Sequence, residues 1–203
     1  MYSLIKHFLD FIFAIILFVL FIPIILAIIF TLKLFTTENI FFKHKRIGKN
    51  GEEFVLYKFR TMKESRDKIL NEYFIKYPEA KLEWENNHKL RNDPRITKVG
   101  YFLRDFSLDE IPQILNIIKG DMSFVGPRPI VRKEIEKYDI HFNNYKRCRP
   151  GLTGLWQVSG RNNTTYKDRI DFDMYYIKNK SFYLDVKIIL KTIPVVLSRK
   201  GAY

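Results

Sequence analysis

Phe11 to Phe30 reads FIFAIILFVLFIPIILAIIF, twenty residues without a charge. At about 1.5 Å per residue such a run makes a helix of about 30 Å, the thickness of a bilayer's hydrocarbon core. A secretory signal has a shorter apolar run, about 7–15 residues, followed by a small-residue cleavage site. Here Thr31-Leu-Lys-Leu-Phe-Thr-Thr37 follows and offers none. Pro23 lies inside the run, where it removes one backbone hydrogen bond and crowds the carbonyl of Val19. Lys6 and His7 precede the run; Lys33, Lys43, Lys45 and Arg46 follow it. The heavier second flank places the rest of the chain on the cytoplasmic side. Two topologies fit. One is a spanning helix kinked at Pro23. The other is a re-entrant helix that breaks at Pro23 and returns to the face it entered, in pieces of about 18 and 12 Å that are each too short to cross.

Outside this segment the chemistry changes. The 203 residues carry 35 Lys and Arg against 22 Asp and Glu, a net charge of +13. Lys6 and Lys33 cancel Asp10 and Glu38 in residues 1–40, so the whole excess falls on residues 41–203. A content of 47% apolar and 16% aromatic residues excludes intrinsic disorder. Cys148 is the sole cysteine, which excludes an intramolecular disulfide and a cysteine-based zinc site. No repeat of solenoid length is visible. The expected organisation is a membrane-inserted anchor over 1–39, in either topology, and a basic cytoplasmic domain over 40–203.

Within the basic domain, Ile40–Ile47 and Glu53–Arg60 flank Gly48-Lys-Asn-Gly51, which predicts a β-hairpin. Residues 64–90 are charged and helical in pattern, interrupted at Pro78. Val99, Phe102, Leu103 and Phe106 recur at helical spacing. Ser107-Leu-Asp-Glu110 before an apolar run has the form of a capping box, with Gly120 as the stop; Pro112 sits better if Asp109 rather than Ser107 is the N-cap, and either choice places Asp109 and Glu110 in the first turn of a helix. Residues 122–161 are rich in turns. Phe182–Arg199 predicts an amphipathic helix, on the membrane surface or facing the core. The fold class expected is α+β, mainly helical, with one small hairpin.

Three groups of residues suggest chemistry. At a helix N-terminus Asp109 and Glu110 would stay ionised beside a docked phosphate, and an ionised carboxylate is a competent nucleophile. Mg²⁺ shared between Asp109 and substrate phosphates would relieve the repulsion between the anions. In Gly126-Pro-Arg-Pro129 two prolines fix the direction of Arg128, a bidentate phosphate ligand. Lys58, Arg60 and Arg104 are candidates for the same site. Arg149, Gln157 and Arg161 lie in glycine-rich loops around Trp156, whose N–H groups can approach an anion.

The combined motifs resemble the bacterial sugar transferases, the small monotopic phosphoglycosyl transferases. The resemblance covers essentially the whole chain. It is carried by the apolar segment with Pro23, Tyr57-Lys-Phe-Arg-Thr-Met62, Asp93-Pro-Arg-Ile-Thr-Lys-Val-Gly100, Leu103-Arg104 and Ser107-Leu-Asp-Glu-Ile-Pro-Gln113. It continues through Lys119-Gly-Asp-Met-Ser-Phe-Val-Gly-Pro-Arg-Pro129 and Arg149-Pro-Gly-Leu-Thr-Gly-Leu-Trp-Gln-Val-Ser-Gly-Arg161.

The resemblance implies transfer of a sugar-1-phosphate from a UDP-sugar to undecaprenyl phosphate, with release of UMP, as the first membrane step of a surface glycan. It implies a ping-pong course in which Asp109 forms a phosphosugar-aspartyl intermediate and Glu110 completes the acidic pair. Lys58, Arg104 and Arg128 match basic and phosphate-binding positions, and Mg²⁺ is the implied cofactor. It further implies a re-entrant anchor broken at Pro23, at the inner face of the bacterial cytoplasmic membrane. Family members carry a Ser before that proline, whereas this chain has Ile22. The chain lacks the extra transmembrane domain of larger members and is expected to be a minimal catalytic form. Relatives that dimerise admit a homodimer here. The middle helical region and the Gly201-Ala-Tyr203 ending resemble members that use galactose or glucose. A membrane-tethered basic binding module for nucleic acid or anionic lipid is the alternative that +13 and the aromatic content permit. The basic residues are dispersed, however, and no nucleic-acid motif is present, so no nucleic-acid partner is expected.

Overall fold

The computed structural model describes residues 2–87, 90, 92–160 and 164–198. The apolar segment is helix α1, Tyr2–Phe35. The hairpin follows as expected, β1 Phe41–Ile47 against β2 Glu53–Phe59, antiparallel with Phe41 opposite Phe59 and Ile47 opposite Glu53. Its turn closes through Asn50 and Gly51, both left-handed, at φ 60° and 80°. The charged stretch splits at Tyr77-Pro78 into α2, Arg66–Lys76, and α3, Pro78–Asn87. Tyr77 is held out of the helical region, as a residue before proline should be. Helix α4, Lys98–Asp105, is capped by Thr97, whose hydroxyl accepts the N–H of Gly100. A 3₁₀ stretch, Leu108–Gln113, leads into α5, Ile114–Lys119, which stops at Gly120 with φ 82°. Next come β3 Ser123–Val125, the one-turn helices α6 Ile135–Tyr138 and α7 Phe142–Tyr145, β4 Gly151–Thr153 and α8 Leu155–Val158. Helices α9, Tyr166–Asn179, and α10, Phe182–Leu197, complete the described chain.

Helix α1 is not a body apart. Ala14, with Leu17, Phe18 and Phe21 beside it, packs on Ile114, Ile117 and Met122. Ile28 and Leu32, with Ile25 and Ile29, pack on Phe59 and Leu103. Positions 14, 17, 18, 21, 25, 28, 29 and 32 form one helical stripe, and its spacing continues on both sides of Pro23. Tyr2–Phe35 is helical throughout, with no interruption of the helix at Pro23. Pro23 points outward, and packing on both sides of it holds the helix together despite the lost bond. The opposite face of α1 is apolar and exposed, including Phe8, Val19, Leu20 and Phe30.

The start of α1 is tied to the domain by polar bonds. Tyr2 Oη donates to Asp185 Oδ2 at 2.6 Å and Lys6 Nζ lies 2.9 Å from the same oxygen. Ser123 Oγ donates to Asp10 Oδ2 at 2.5 Å. Helix α10 buries Ile188 against Val125 and Tyr176 and exposes Tyr183, Val186, Leu190, Ile193 and Leu197. It thus packs one face on the core and presents an apolar outer face beside that of α1.

Two further features position the cleft described below. Asn116, fully buried on α5, accepts from the Tyr57 N–H and donates to the Val55 carbonyl, stitching the α5 region to β2. Strands β3 and β4 pair in parallel, Ser123 opposite Gly151 and Val125 opposite Thr153. There a Cβ on Gly151 would collide with the backbone of Gly126, so both chains need glycine to approach.

Candidate active site

Asp109 and Glu110 sit at a sharp change of direction. Helix α4 ends at Asp105, Phe106 caps it, and Ser107 takes a left-handed conformation with φ 55° and ψ 21°. A non-glycine residue there carries about 1–3 kcal/mol of strain, a reservoir typical of functional turns. The Ser107 hydroxyl makes no capping bond, and the following segment is 3₁₀ rather than α. The expected capping box is therefore absent. Pro112 has no N–H to give the Leu108 carbonyl, so the α-helix begins only at Ile114. Asp109 consequently has no α-helix dipole at its back, and its electrostatics come from side chains.

Those side chains arrive from β2 and α4. Lys58 Nζ lies 2.6 Å from Glu110 Oε1 and 3.6 Å from Asp109 Oδ2. Asp109 is 8% exposed. Burial pushes its carboxyl above the usual carboxylate range; Lys58 and Arg104 pull against this and Glu110 adds to it. Burial disfavours the charged form of Lys58, but Glu110 and Asp109 outweigh it and hold the ammonium above its ordinary pKa. Arg104 donates from Nε to Thr61 Oγ1 at 2.9 Å; burial lowers its pKa while Asp109 and Asp93 act in the other direction.

A second wall of cations faces this pair. Arg46 on β1 donates from Nη1 to the Pro129 carbonyl at 3.2 Å, and its Nη2 lies 3.2 Å from His44 Nδ1. Burial, then the neighbouring Arg128, lower its pKa, and Glu134 offsets part of this. The guanidiniums of Arg128 and Arg169 both lie over the Trp156 ring, 5.2 and 4.9 Å from its centroid. Trp156 Nε1 is buried without a hydrogen-bond partner among the described residues. Arg46, Arg104, Arg128 and Trp156 join Lys58, Asp109 and Glu110 in lining a cleft of about 1070 Å³, large enough for a ligand of nucleotide-sugar size. Guanidiniums gathered this closely around one cleft fit a multiply charged anion.

Of the residues foreseen from the sequence, Lys58, Arg60, Arg104, Asp109, Glu110, Arg128 and Gln157 line this cleft. Arg149 does not. Its Nε donates to the Gly120 carbonyl at 2.6 Å, and it lines a separate recess beside His7 and Cys148. Arg161 lies outside the described residues, and Pro23 is in α1. The cleft also contains His44, Arg46, Thr61 and Gln113, which sequence reasoning missed. Strand alternation contained the signal for two of them. Phe42, His44 and Arg46 share a face of β1, and Lys58 pairs opposite Phe42 on that face.

The donor set suits a hard cation only partly. No group of three His, Cys, Asp or Glu side chains converges among the described residues. Asp109 and Glu110 are two oxygen donors side by side, the number that Mg²⁺ usually takes from a protein when substrate phosphates complete its shell.

Residues 1–199 match the family model described as bacterial sugar transferase. An uncharacterized sugar transferase of Haemophilus influenzae is 50% identical over 185 residues, which are 91% of this chain and 39% of that protein. The exopolysaccharide production protein ExoY of Rhizobium meliloti is 50% identical over 184 residues, 91% of this chain and 81% of that protein. The undecaprenyl-phosphate galactose phosphotransferase of Salmonella typhimurium is 51% identical over 160 residues, 79% of this chain and 34% of that protein. The chain thus spans well under half of two of these relatives and about four-fifths of the third.

Proposed function

This chain belongs to the bacterial sugar transferase family, and on that premise we propose that it is a phosphoglycosyl transferase. It moves a hexose-1-phosphate, galactose or glucose, from a UDP-sugar to undecaprenyl phosphate and releases UMP, beginning a surface glycan. The observation that carries the reading is Asp109. It is a buried carboxylate whose nearest cation is shared with Glu110, at the floor of an arginine-lined cleft beside an apolar helix.

The proposed chemistry has two displacements. An Asp109 oxygen attacks the phosphorus that bears the sugar. The new O–P bond forms as the bond to UMP breaks, and UMP leaves with the electron pair. A phosphate oxygen of the lipid then attacks the same phosphorus, and Asp109 leaves as carboxylate. Burial raises the basicity of Asp109, which suits a nucleophile, while Lys58 pulls its pKa back down. Arg46 and Arg128 hold the diphosphate, and Arg104 faces the charge that develops at phosphorus. Asp109 and Glu110 would hold Mg²⁺ together with the substrate phosphates, and that ion would neutralise diphosphate charge.

The reading of α1 follows from its contacts. Its first turns bond to Asp185 and Ser123 and its last turns pack on Phe59 and Leu103. A helix of about 50 Å held at both ends by one domain cannot leave one end across the bilayer. We read it as lying in the cytoplasmic leaflet against the domain, with α10 beside it at the same depth. The donor in solution and the lipid phosphate then meet at the surface of the inner membrane.

The test mixes full-length protein in nanodiscs with UDP-galactose or UDP-glucose, undecaprenyl phosphate and Mg²⁺. The expected product is UMP, lost in Asp109→Asn. Release of UDP contradicts the reaction class. A single cysteine at position 3 in a Cys148→Ser chain should be labelled from the cytoplasmic side alone; labelling from the opposite side contradicts the topology.

A further inference from the structure

Away from the catalytic cleft, and sharing no lining residue with it, the first turns of α1 border a second recess. Its walls bring Lys6, Lys49, Arg147, Arg149 and Lys180 together with His7. These come from four separate stretches of chain: α1, the hairpin turn, the 146–149 loop and the α9–α10 junction. Asp10 is the carboxylate in its lining and Asp185 pairs with its Lys6, and both are engaged. Asp185 takes Lys6 and the hydroxyls of Tyr2 and Tyr176; Asp10 takes the Ser123 hydroxyl and lies 3.5 Å from Lys6. The side chains of Lys49 and Arg147 have no hydrogen bond or ion pair with any described residue.

The remaining cations are committed only to neutral groups. Arg149 spends Nε on the Gly120 carbonyl and Lys180 meets the Cys148 thiol at 3.3 Å. His7 lies over Gly120, 3.5 Å from where a Cβ would be. Burial first, then the positive field of Arg149 and Lys49, lower the His7 pKa, with Asp10 opposing. The recess therefore holds uncompensated positive charge.

Its location says what compensates that charge. On the outer side of the same helical turns, Leu4 and Phe8 are exposed, and Phe11, Ile12 and Phe13 continue the apolar belt. Phe182 of α10 packs edge-on to Tyr2 and extends the belt sideways. A cationic recess bordering an apolar belt has the layering of a lipid: phosphate in the recess, acyl chains along the belt. We infer that this recess, with Arg149 at its centre and Lys49 and Arg147 at its mouth, is a binding site for the headgroup phosphate of an anionic membrane phospholipid. It is distinct from the catalytic cleft. A lipid held there would fix the depth and tilt of α1, and with it the height of the cleft above the acyl chains.

The experiment uses the full chain in a mild non-ionic detergent and native mass spectrometry. Dioleoyl phosphatidylglycerol competes against an equal amount of dioleoyl phosphatidylcholine. The wild-type protein should retain phosphatidylglycerol with a preference of about tenfold, the worth of a charge-assisted phosphate contact. Lys49→Gln/Arg147→Gln removes two exposed side chains that hold nothing else, so folding should be unaffected, and the preference should vanish. Lys68→Gln/Lys81→Gln, on α2 and α3 and the same in net charge, should keep it. Equal loss in both pairs would reduce the effect to overall charge and overturn the site, as would full retention in Lys49→Gln/Arg147→Gln. A large excess of inorganic phosphate should not displace the lipid; displacement would assign the recess to a soluble anion and overturn the headgroup assignment. UMP release is not the readout, so failure here leaves the proposed reaction standing.

Discussion

Two buried aspartates with a lysine beside them make opposite use of the same parts. Asp185 receives hydroxyls from Tyr2 at 2.6 Å and Tyr176 at 2.7 Å and a lysine at 2.9 Å. Both oxygens carry donors, and the group ties α1, α9 and α10 into one unit. Asp109 has one lysine, 3.6 Å away, and that lysine lies a full ångström closer to Glu110. A strained Ser107 precedes it and an open cleft lies in front of it. A carboxylate that is fully bonded braces the fold. One that is buried and incompletely bonded keeps reactivity and leaves the fold less stable than it could be.

The contrast can be broken at each end. Asp109→Asn should lower UMP release by roughly 10⁴-fold, the scale seen when a nucleophile is removed. It should also raise the melting temperature at neutral pH. The folded protein holds the Asp109 carboxyl above its unfolded pKa, so ionising it opposes folding once pH exceeds the unfolded value, and the amide removes that burden. A melting temperature that falls instead would mean Asp109 braces the fold much as Asp185 does.

Lys58→Met should lower turnover by about 100-fold, the loss typical of one preorganised electrostatic partner. It should also move the acid limb of the pH profile upward. Lys58 pulls the Asp109 pKa down; without it, burial and Glu110 act unopposed by that charge, and protonation begins at higher pH. An unshifted limb would separate Lys58 from Asp109. Arg46→Gln should raise KM for the UDP-sugar about tenfold with turnover little changed, the signature of lost uniform binding to the diphosphate. A fall confined to kcat would place Arg46 at the reacting phosphorus instead. At the other end, Asp185→Ala should leave turnover per folded molecule unchanged while costing about 3 kcal/mol of stability, because Lys6 then loses its closest counter-charge in a buried setting. A turnover defect without a stability defect would reverse the two roles.

What the sequence disclosed follows from the range of each interaction. The hairpin was readable because Gly48 and Gly51 sit between alternating strands, all within twenty residues. The split at Pro78 was readable for an equally local reason. The stripe of α1 was not readable, because a segment apolar on every side gives no periodicity to tell its packed face from its exposed one. Ser107-Leu-Asp-Glu110 misled because the capping pattern ignores Pro112, which bars the α-helix that the pattern announces. The β3–β4 pair joins three-residue strands separated by a long irregular excursion, too short for any local signal. Of the site, Asp109, Glu110, Lys58, Arg104 and Arg128 were found through motifs. Arg46 needed the strand face, and Arg149 needed the tertiary fold to show that it points elsewhere.

The central claim is that Asp109 carries the sugar phosphate between donor and acceptor. The most direct measurement gives the full-length protein UDP-sugar and Mg²⁺ without any lipid acceptor and follows intact mass and UMP together. The account predicts about one UMP per protein and an added hexose phosphate that maps to Asp109, discharged when undecaprenyl phosphate is supplied. UMP that appears only when donor and acceptor are both present, with no adduct at any time, would contradict it.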